Sequence, residues 1–234
     1  MATNVLKFDA SDAPFRADPA HSFTMPARFY TSAEVYELDK DTIFYKTWHY
    51  ACHVSQVSQP GAFFSTKSHE QNLFITRGRD NELRAFYNVC AHRGHELVSG
   101  SGRKSLITCP YHAWSFDLEG NLVSARNSEN VANFDRCEFS LKPVRLEVFC
   151  GMVMINLDLD AKPFTEQFDG LEDEIRQYMP SVDELSFAQR DTFEVASNWK
   201  VLIDNFLECY HCAPAHLDFV DLVDVNSYRT ITPK

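Results

Sequence analysis

The feature that most constrains this chain is a pair of short cysteine–histidine segments. Cys90-Ala91-His92-Arg93-Gly94 is followed, beyond residues 93–108, by Cys109-Pro110-Tyr111-His112. Each half offers one thiolate and one imidazole. Each follows a strand-like stretch, Tyr87-Asn88-Val89 in one case and Ile107-Thr108 in the other, so each sits at a turn. Two such turns side by side make a site of composition Cys2His2, and the fold has to bring them together. Structural zinc usually groups like donors, Cys with Cys and His with His. Here each half mixes the two. That mixture suits a 2Fe-2S cluster in which one iron takes both thiolates and the other both imidazoles. Zinc, and buried cysteines with no metal, are the rival readings.

Composition narrows the setting. With 234 residues, 44% hydrophobic and 24% charged, the chain has the mix of a soluble globular protein and excludes disorder, collagen and a coiled-coil rod. Nineteen Phe and 13% aromatics allow a sizeable core. The net charge, 22 − 33 = −11, argues against nucleic-acid binding, which wants a basic stripe, and against docking on anionic lipid. No run approaches the roughly 20 apolar residues of a membrane helix. The N-terminus MATNVLKFDASDAPFRADP has no apolar core after a basic start, so it is not a secretory signal and the expected location is cytoplasmic. Seven cysteines, an odd number in a reducing compartment, point to metal before disulfides.

Along the chain, residues 1–28 are polar and Pro-punctuated and read as an extended arm. Ser32 can cap a helix over about 33–47, with Val35, Leu38 and Ile43 on one side. From Trp48 to Leu159 short apolar runs alternate with turn signals at Gly61, Arg77–Gly78, Asp80–Asn81, Gly100 to Gly102 and Glu119–Gly120–Asn121. Phe63–Phe64, Leu73–Ile75, Leu83–Tyr87, Ser105–Thr108, Ser115–Asp117 and Gly151–Asn156 read as strands of an antiparallel all-β sandwich or small barrel. Thr165 to Met179 reads as a helix, Phe187 to Val195 as a strand, and Asn198 to about Cys212 as a helix. The expected fold class is α+β: an arm and helix over 1–45, a β domain over 46–162, and the start of an α+β domain over 163–234.

The last helix carries a second constellation. Trp199, Ile203, Phe206 and Tyr210 form one stripe, the expected core face. Asp204, Glu208 and His211 form another, since i, i+4 and i+7 share a face. His216 would lie well round a continuing helix, but Pro214 should end it near Cys212 and let the chain turn back toward His211. Two histidines beside acids suit a 2-His-1-carboxylate iron site. A helix with a plain polar face is the alternative.

Together the two constellations resemble the α subunit of a Rieske non-haem iron oxygenase, over essentially the whole chain. The first half is similar to the Rieske pattern in its spacing, its Arg-Gly after the first His and its Pro-Tyr inside the second segment. Respiratory Rieske proteins add a Cys to each loop and staple the two; the corresponding places here hold His95 and Tyr111. The resemblance implies that Cys90, His92, Cys109 and His112 hold the cluster and that His211 and His216 hold a mononuclear Fe(II). It implies that Glu208 bridges an imidazole of each centre and that Asn205 stands near the iron, with Asp204 a candidate catalytic acid on the face shared with Glu208 and His211. It implies electrons from NAD(P)H through a separate reductase, O2 as co-substrate, and a homo-oligomer such as a trimer in which the two centres meet across a subunit boundary. The setting Glu-Cys-Tyr-His-Cys-Ala-Pro-Ala-His and the arm Met25-Pro26-Ala27-Arg28-Phe29-Tyr30 are similar to the group acting on quaternary ammonium compounds. The implied reaction is hydroxylation or N-demethylation of such a small molecule. An electron carrier with an inactive second site, an aromatic-ring dioxygenase and a zinc-stabilised binding module are the alternatives. The family's third iron ligand is an Asp far beyond the His pair, past Lys234. Asp218, Asp221 and Asp224 are not in its place, so the sequence reads as a fragment.

Overall fold

A computed structural model describes residues 18–207 and 210–224. Ten strands carry the architecture: β1 (His49–His53), β2 (Ala62–Ser68), β3 (Gln71–Arg77), β4 (Leu83–Tyr87), β5 (Ser101–Arg103), β6 (Ile107–Thr108), β7 (Ser115–Phe116), β8 (Leu122–Ser124), β9 (Pro143–Phe149) and β10 (Met152–Asn156). Seven form an antiparallel sheet in the order β1-β10-β9-β4-β3-β2-β5, and β6-β7-β8 form a second, three-stranded sheet. The six strands expected between Trp48 and Leu159 are present. β1, β5, β8 and β9 are additional; β5 (SGR) and β8 (LVS) have three residues each, too few for alternation to stand out. Gly102, expected in a turn, pairs with Phe63 as the middle of β5.

Strand β3 is the spine. Leu73, Phe74, Ile75 and Thr76 are all buried, because successive side chains point to opposite faces and both faces are covered. Leu73 and Ile75 join Ala51, Cys52, Val57, Val144, Val153 and Ile155 in one core. Phe74 joins Phe63, Phe86, Ile107, Trp114, Phe116 and Leu122 in another. Phe74 and Phe86 are directly paired across β3 and β4, with ring centroids 5.6 Å apart, the cross-strand aromatic contact that pins register. This aromatic layer lies under the two Cys-His segments, since Cys90 and Cys109 belong to the same cluster.

Short turns set the register. Cys150 and Gly151, both at positive φ, join β9 to β10 in the two-residue turn whose twist matches paired strands. The turn from β7 to β8 is organised by Asp117, whose Oδ1 accepts from the N–H groups of Glu119 and Asn121 at 3.1 and 2.7 Å. Gly120 there has φ 92°, and a Cβ on it would lie 2.5 Å from Phe86 Cε1.

The helices differ more from expectation. The helix capped by Ser32 is real: Val35 N–H donates to Ser32 Oγ at 3.4 Å. It is α2 (Ala33–Asp39), preceded by a short α1 (Arg28–Thr31) that ends at the same Ser32, and it then widens into a π turn over Lys40–Phe44. That change in pitch buries Asp39, Lys40 and Phe44, where straight α periodicity would bury Leu38 and Ile43. The expected helix over 165–179 is two, α3 (Phe164–Gln167) and α4 (Leu171–Tyr178), because Gly170 takes φ 79° between them. Residues 187–195 are extended but form no strand. Phe187 N–H is taken by Ser55 Oγ at 2.9 Å, and Arg190 reaches the Ala51 carbonyl at 3.1 Å, so side chains rather than a ladder hold the start of this stretch. The final helices are α5 (Trp199–Leu207), α6 (Cys212–Ala215) and α7 (Leu217–Leu222). Phe206 and Tyr210, expected in a core, are 86% and 93% exposed. Tyr228-Arg229-Thr230-Ile231-Thr232 also reads as a strand in the sequence and lies outside the described residues.

Two compact units emerge: Lys40–Arg190, and a unit of the residues up to Asp39 with those from Asp191 onward. The sequence reading put its breaks after 45 and 162. The N-terminal helices thus associate with the chain from Asp191 onward.

Gly120→Ala should lower unfolding free energy by about 2–4 kcal/mol, combining the left-handed backbone cost with overlap on the Phe86 ring. Urea denaturation followed by tryptophan fluorescence measures it; a change under about 0.5 kcal/mol, the range of neutral surface substitutions, would contradict the packing described.

Candidate metal centres

The two Cys-His segments close in the same way. In the first, Cys90 N–H donates to the His95 carbonyl at 2.8 Å and Gly94 N–H to the Cys90 carbonyl at 2.9 Å. In the second, Cys109 N–H donates to the Trp114 carbonyl at 2.8 Å and Ala113 N–H to the Cys109 carbonyl at 3.0 Å. Both pairs run from position i to i+5 and from i+4 to i. The i+4 residue is left-handed in both, Gly94 at φ 70° and Ala113 at φ 59°. Gly accepts that conformation without cost, whereas Ala stores about 1–2 kcal/mol. The two loops are therefore matching halves of one device, and each presents its Cys inward and its His beyond it.

Asn88 anchors the first loop. It is 1% exposed. Its Oδ1 accepts from the N–H groups of Leu97 and Val98 at 3.0 and 3.1 Å. Its Nδ2 donates to the Val98 carbonyl at 2.7 Å and to Glu96 Oε1 at 3.2 Å. The sequence reading passed over Asn88 as a strand-end residue. An Asn two positions before a ligand, at the end of an apolar run, was the available signal, since a buried amide can substitute for ladder bonds.

Cys90 and Cys109 are both 2% exposed and their thiols share a hydrogen bond. Burial pushes the Cys90 thiol up, while the backbone N–H groups of His92 and Arg93 aimed at it pull the other way and favour thiolate. The His92 and His112 rings lie 4.6 Å apart at 74°. Burial first, then the neighbouring His112 and Arg93, lowers the His92 pKa and keeps its imidazole neutral, the ligand form. Its Nδ1 is buried and, among the described residues, has no hydrogen-bond partner. Buried polar atoms are nearly always paired, so this nitrogen has a lone pair waiting for something the chain does not supply. The donors stand as a sulfur pair and an imidazole pair.

Aromatic side chains wall the site. Trp114 stacks on His92 at 4.8 Å and 10°, and is backed edge-on by Phe134 and Phe139 at 5.8 and 5.6 Å. Tyr111 lies 3.8 Å from the His112 ring and 5.7 Å from His95. A ring contact thus joins the two places that cysteines would staple.

In the other unit, His211 and His216 have ring centroids 5.3 Å apart at 74°. The turn that brings them together is not the one expected. Pro214 lies inside α6 rather than after a long helix, and His216 caps α6 and starts α7. Asn205 Nδ2 sits 3.2 Å from His211 Nε2. Asp204 does not face the histidines as a free acid: its Oδ2 accepts from Tyr30 Oη at 2.6 Å, which pushes the Tyr30 pKa up to about 12. Glu208 lies outside the described residues. His216 opens on a cleft of about 690 Å³ also lined by Asp218 and Phe219. His211 and His216 can supply two ligands to one ion; neither Asp221 nor Asp224 lines that cleft.

Residues 47–135 match the family described as the Rieske [2Fe-2S] domain, and residues 182–230 match the ring hydroxylating alpha subunit (catalytic domain). The carnitine monooxygenase oxygenase subunit of Escherichia coli K12 is 47% identical over 215 residues, which is 92% of this chain and 58% of that protein. The glycine betaine monooxygenase oxygenase subunit of Pseudomonas aeruginosa PAO1 is 34% identical over 197 residues, 84% of this chain and 45% of that protein. The crystal structure of the quaternary ammonium Rieske monooxygenase CntA in complex with L-carnitine matches with a TM-score of 0.86 at 45% identity, covering 91% of this chain and 60% of that one. The chain spans about half to three-fifths of the length of these relatives.

Asn88→Leu keeps the volume but strands the N–H groups of Leu97 and Val98. It should cost about 2–4 kcal/mol of stability, the penalty for leaving two buried donors unpaired. The check is chemical denaturation alongside amide exchange at residues 97 and 98, both of which should lose protection; retained protection would exclude the anchoring role.

Proposed function

Because this chain belongs to the family of Rieske-domain oxygenase α subunits, we propose that it acts as the oxygenase subunit of a multicomponent monooxygenase on a quaternary ammonium compound of the carnitine type. Relatives named for carnitine, glycine betaine and choline support the substrate class. The reaction is hydroxylation or N-demethylation with O2. An electron carrier with a dead second site and an aromatic-ring dioxygenase are less favoured, since relatives at 45–47% identity are oxygenase subunits of carnitine monooxygenase.

In this reading Cys90 and Cys109 hold one iron of the 2Fe-2S cluster and His92 and His112 hold the other. The observation that carries it is the unpartnered, buried Nδ1 of His92 beside a second imidazole and a buried thiol pair. His211 and His216 hold the mononuclear iron together with a carboxylate. When bound, the cluster supplies one-electron transfer and the mononuclear iron supplies oxygen activation. The chain's own residues prepare both places. The backbone N–H groups of His92 and Arg93 stabilise a thiolate at Cys90. Trp114, Phe134 and Phe139 exclude water from the His92 face. Asn205 orients His211. Glu208 is proposed to hydrogen-bond an imidazole of each centre across a subunit boundary in a homo-oligomer, a trimer being the expected ring. A separate reductase would draw on NAD(P)H. Among the described residues no helix is long and apolar enough to cross a membrane, which accords with a cytoplasmic setting.

Anaerobically purified or reconstituted protein should carry acid-labile sulfide, visible charge-transfer absorption and an EPR signal on reduction. His92→Ala should abolish the EPR signal and reductase-driven oxygen uptake while leaving far-ultraviolet circular dichroism intact. A colourless protein that binds zinc stoichiometrically and takes up no sulfide would overturn the assignment. Oxygen uptake that responds to aromatic hydrocarbons and to no quaternary ammonium compound would select the dioxygenase reading.

A further inference from the structure

The helix that leads to His211 is held in an unusual way. On α5, Val201, Leu202, Ile203 and Phe206 are 44%, 49%, 44% and 86% exposed, so apolar burial does little to fix it. Three polar side-chain contacts run from α5 to the N-terminal helices of the same unit. The Lys200 ammonium donates to Asp39 Oδ2. Trp199 Nε1 donates to the same carboxylate oxygen at 3.0 Å. One turn further on, Tyr30 Oη donates to Asp204 Oδ2 at 2.6 Å. Asp39 and Lys200 are 6% and 8% exposed, so this is a buried ion pair with a third donor. Such a pair contributes little net stability but fixes geometry closely, because a displaced charge has no water to turn to.

We infer that Asp39 and Tyr30 are positioning residues that set the rotation of α5, and through it the placement of Asn205 against His211; this rests on the proposed metal site at His211 and His216. Residues 200 and 204 are one turn apart and share a face. A single tether would leave the helix free to roll about it; two tethers on one face fix both roll and height. Asn205, about 100° round from Asp204 on a helix of 3.6 residues per turn, then meets the His211 ring at 3.2 Å. A roll of α5 would carry Asn205 off His211. The N-terminal helices thereby act on the metal site without touching it.

The test uses the full chain and titrates Co(II), whose visible bands report imidazole ligation, into protein whose 2Fe-2S cluster is already loaded. Tyr30→Phe removes one exposed hydrogen bond, leaves the fold intact, and should weaken Co(II) binding about tenfold, the usual effect of losing a group that orients a ligand. Asp39→Asn should weaken it at least as much. Cluster absorption and the cluster's midpoint potential should be unchanged in both, and Lys46→Met, which breaks an ion pair to Asp158 in the other unit, should leave Co(II) affinity unchanged. If Asp39→Asn fails to fold, Tyr30→Phe alone decides. Wild-type affinity in Tyr30→Phe overturns the inference and leaves the proposed function standing. Failure of the wild-type chain to bind any metal beyond its cluster overturns the proposed function and the inference with it.

Discussion

The structure depends on a backbone constraint: two separate loops must adopt the same closed shape. Each Cys is clasped at both its N–H and its C=O, by residues five and four positions ahead. The clasp forces the intervening His outward and demands a left-handed residue at a fixed place. Gly94 meets that demand freely and Ala113 at a cost. The cost is tolerated because the loop is over-determined elsewhere, by Trp114 on its closing carbonyl and by the Thr108–Ser115 hydroxyl contact at 3.0 Å beneath it.

The sheet exists to hold those loops still. Phe63, Phe74 and Phe86 share a core with Cys90, Cys109 and Trp114, so a shift in strand register would move the thiols. Asn88 converts the strand end into a loop base by replacing ladder bonds with amide bonds. Burial, with Trp114 stacked on its ring, favours the neutral form of the His92 imidazole. Fold, loop shape and donor chemistry are thus one argument. The paired thiols and paired imidazoles fit a two-iron cluster better than a single tetrahedral ion because the donors stand as two groups.

The second unit works by different means. Its metal-ligand candidates come from a turn and two short helices, and the leading helix α5 is steered by a buried carboxylate and a tyrosine hydroxyl from the N-terminal segment. Asp204, expected beside the metal, serves Tyr30 instead. Apolar residues on α5 remain exposed, so polar tethers carry a task that packing performs in the β unit.

Cysteine and histidine spacing, with the apolar runs before each pair, determined the four donors and the strand ends that present them, because ligand chemistry and strand patterning are local properties. Gly61 and Gly120 were legible as turn residues for the same reason, whereas Gly102 fell in a strand and Gly151 in a turn. Only the tertiary structure decided that Asn88 is a loop anchor, that His95 meets Tyr111, that the helix after Lys40 changes pitch, and that Asp39 pairs with Lys200. Each of these joins residues whose partner is chosen by burial and chain path, and a buried Asp looks no different from a solvated one in a string of letters. The candidate donors were therefore picked out by the sequence, whereas their orientation was settled by contacts that only folding creates.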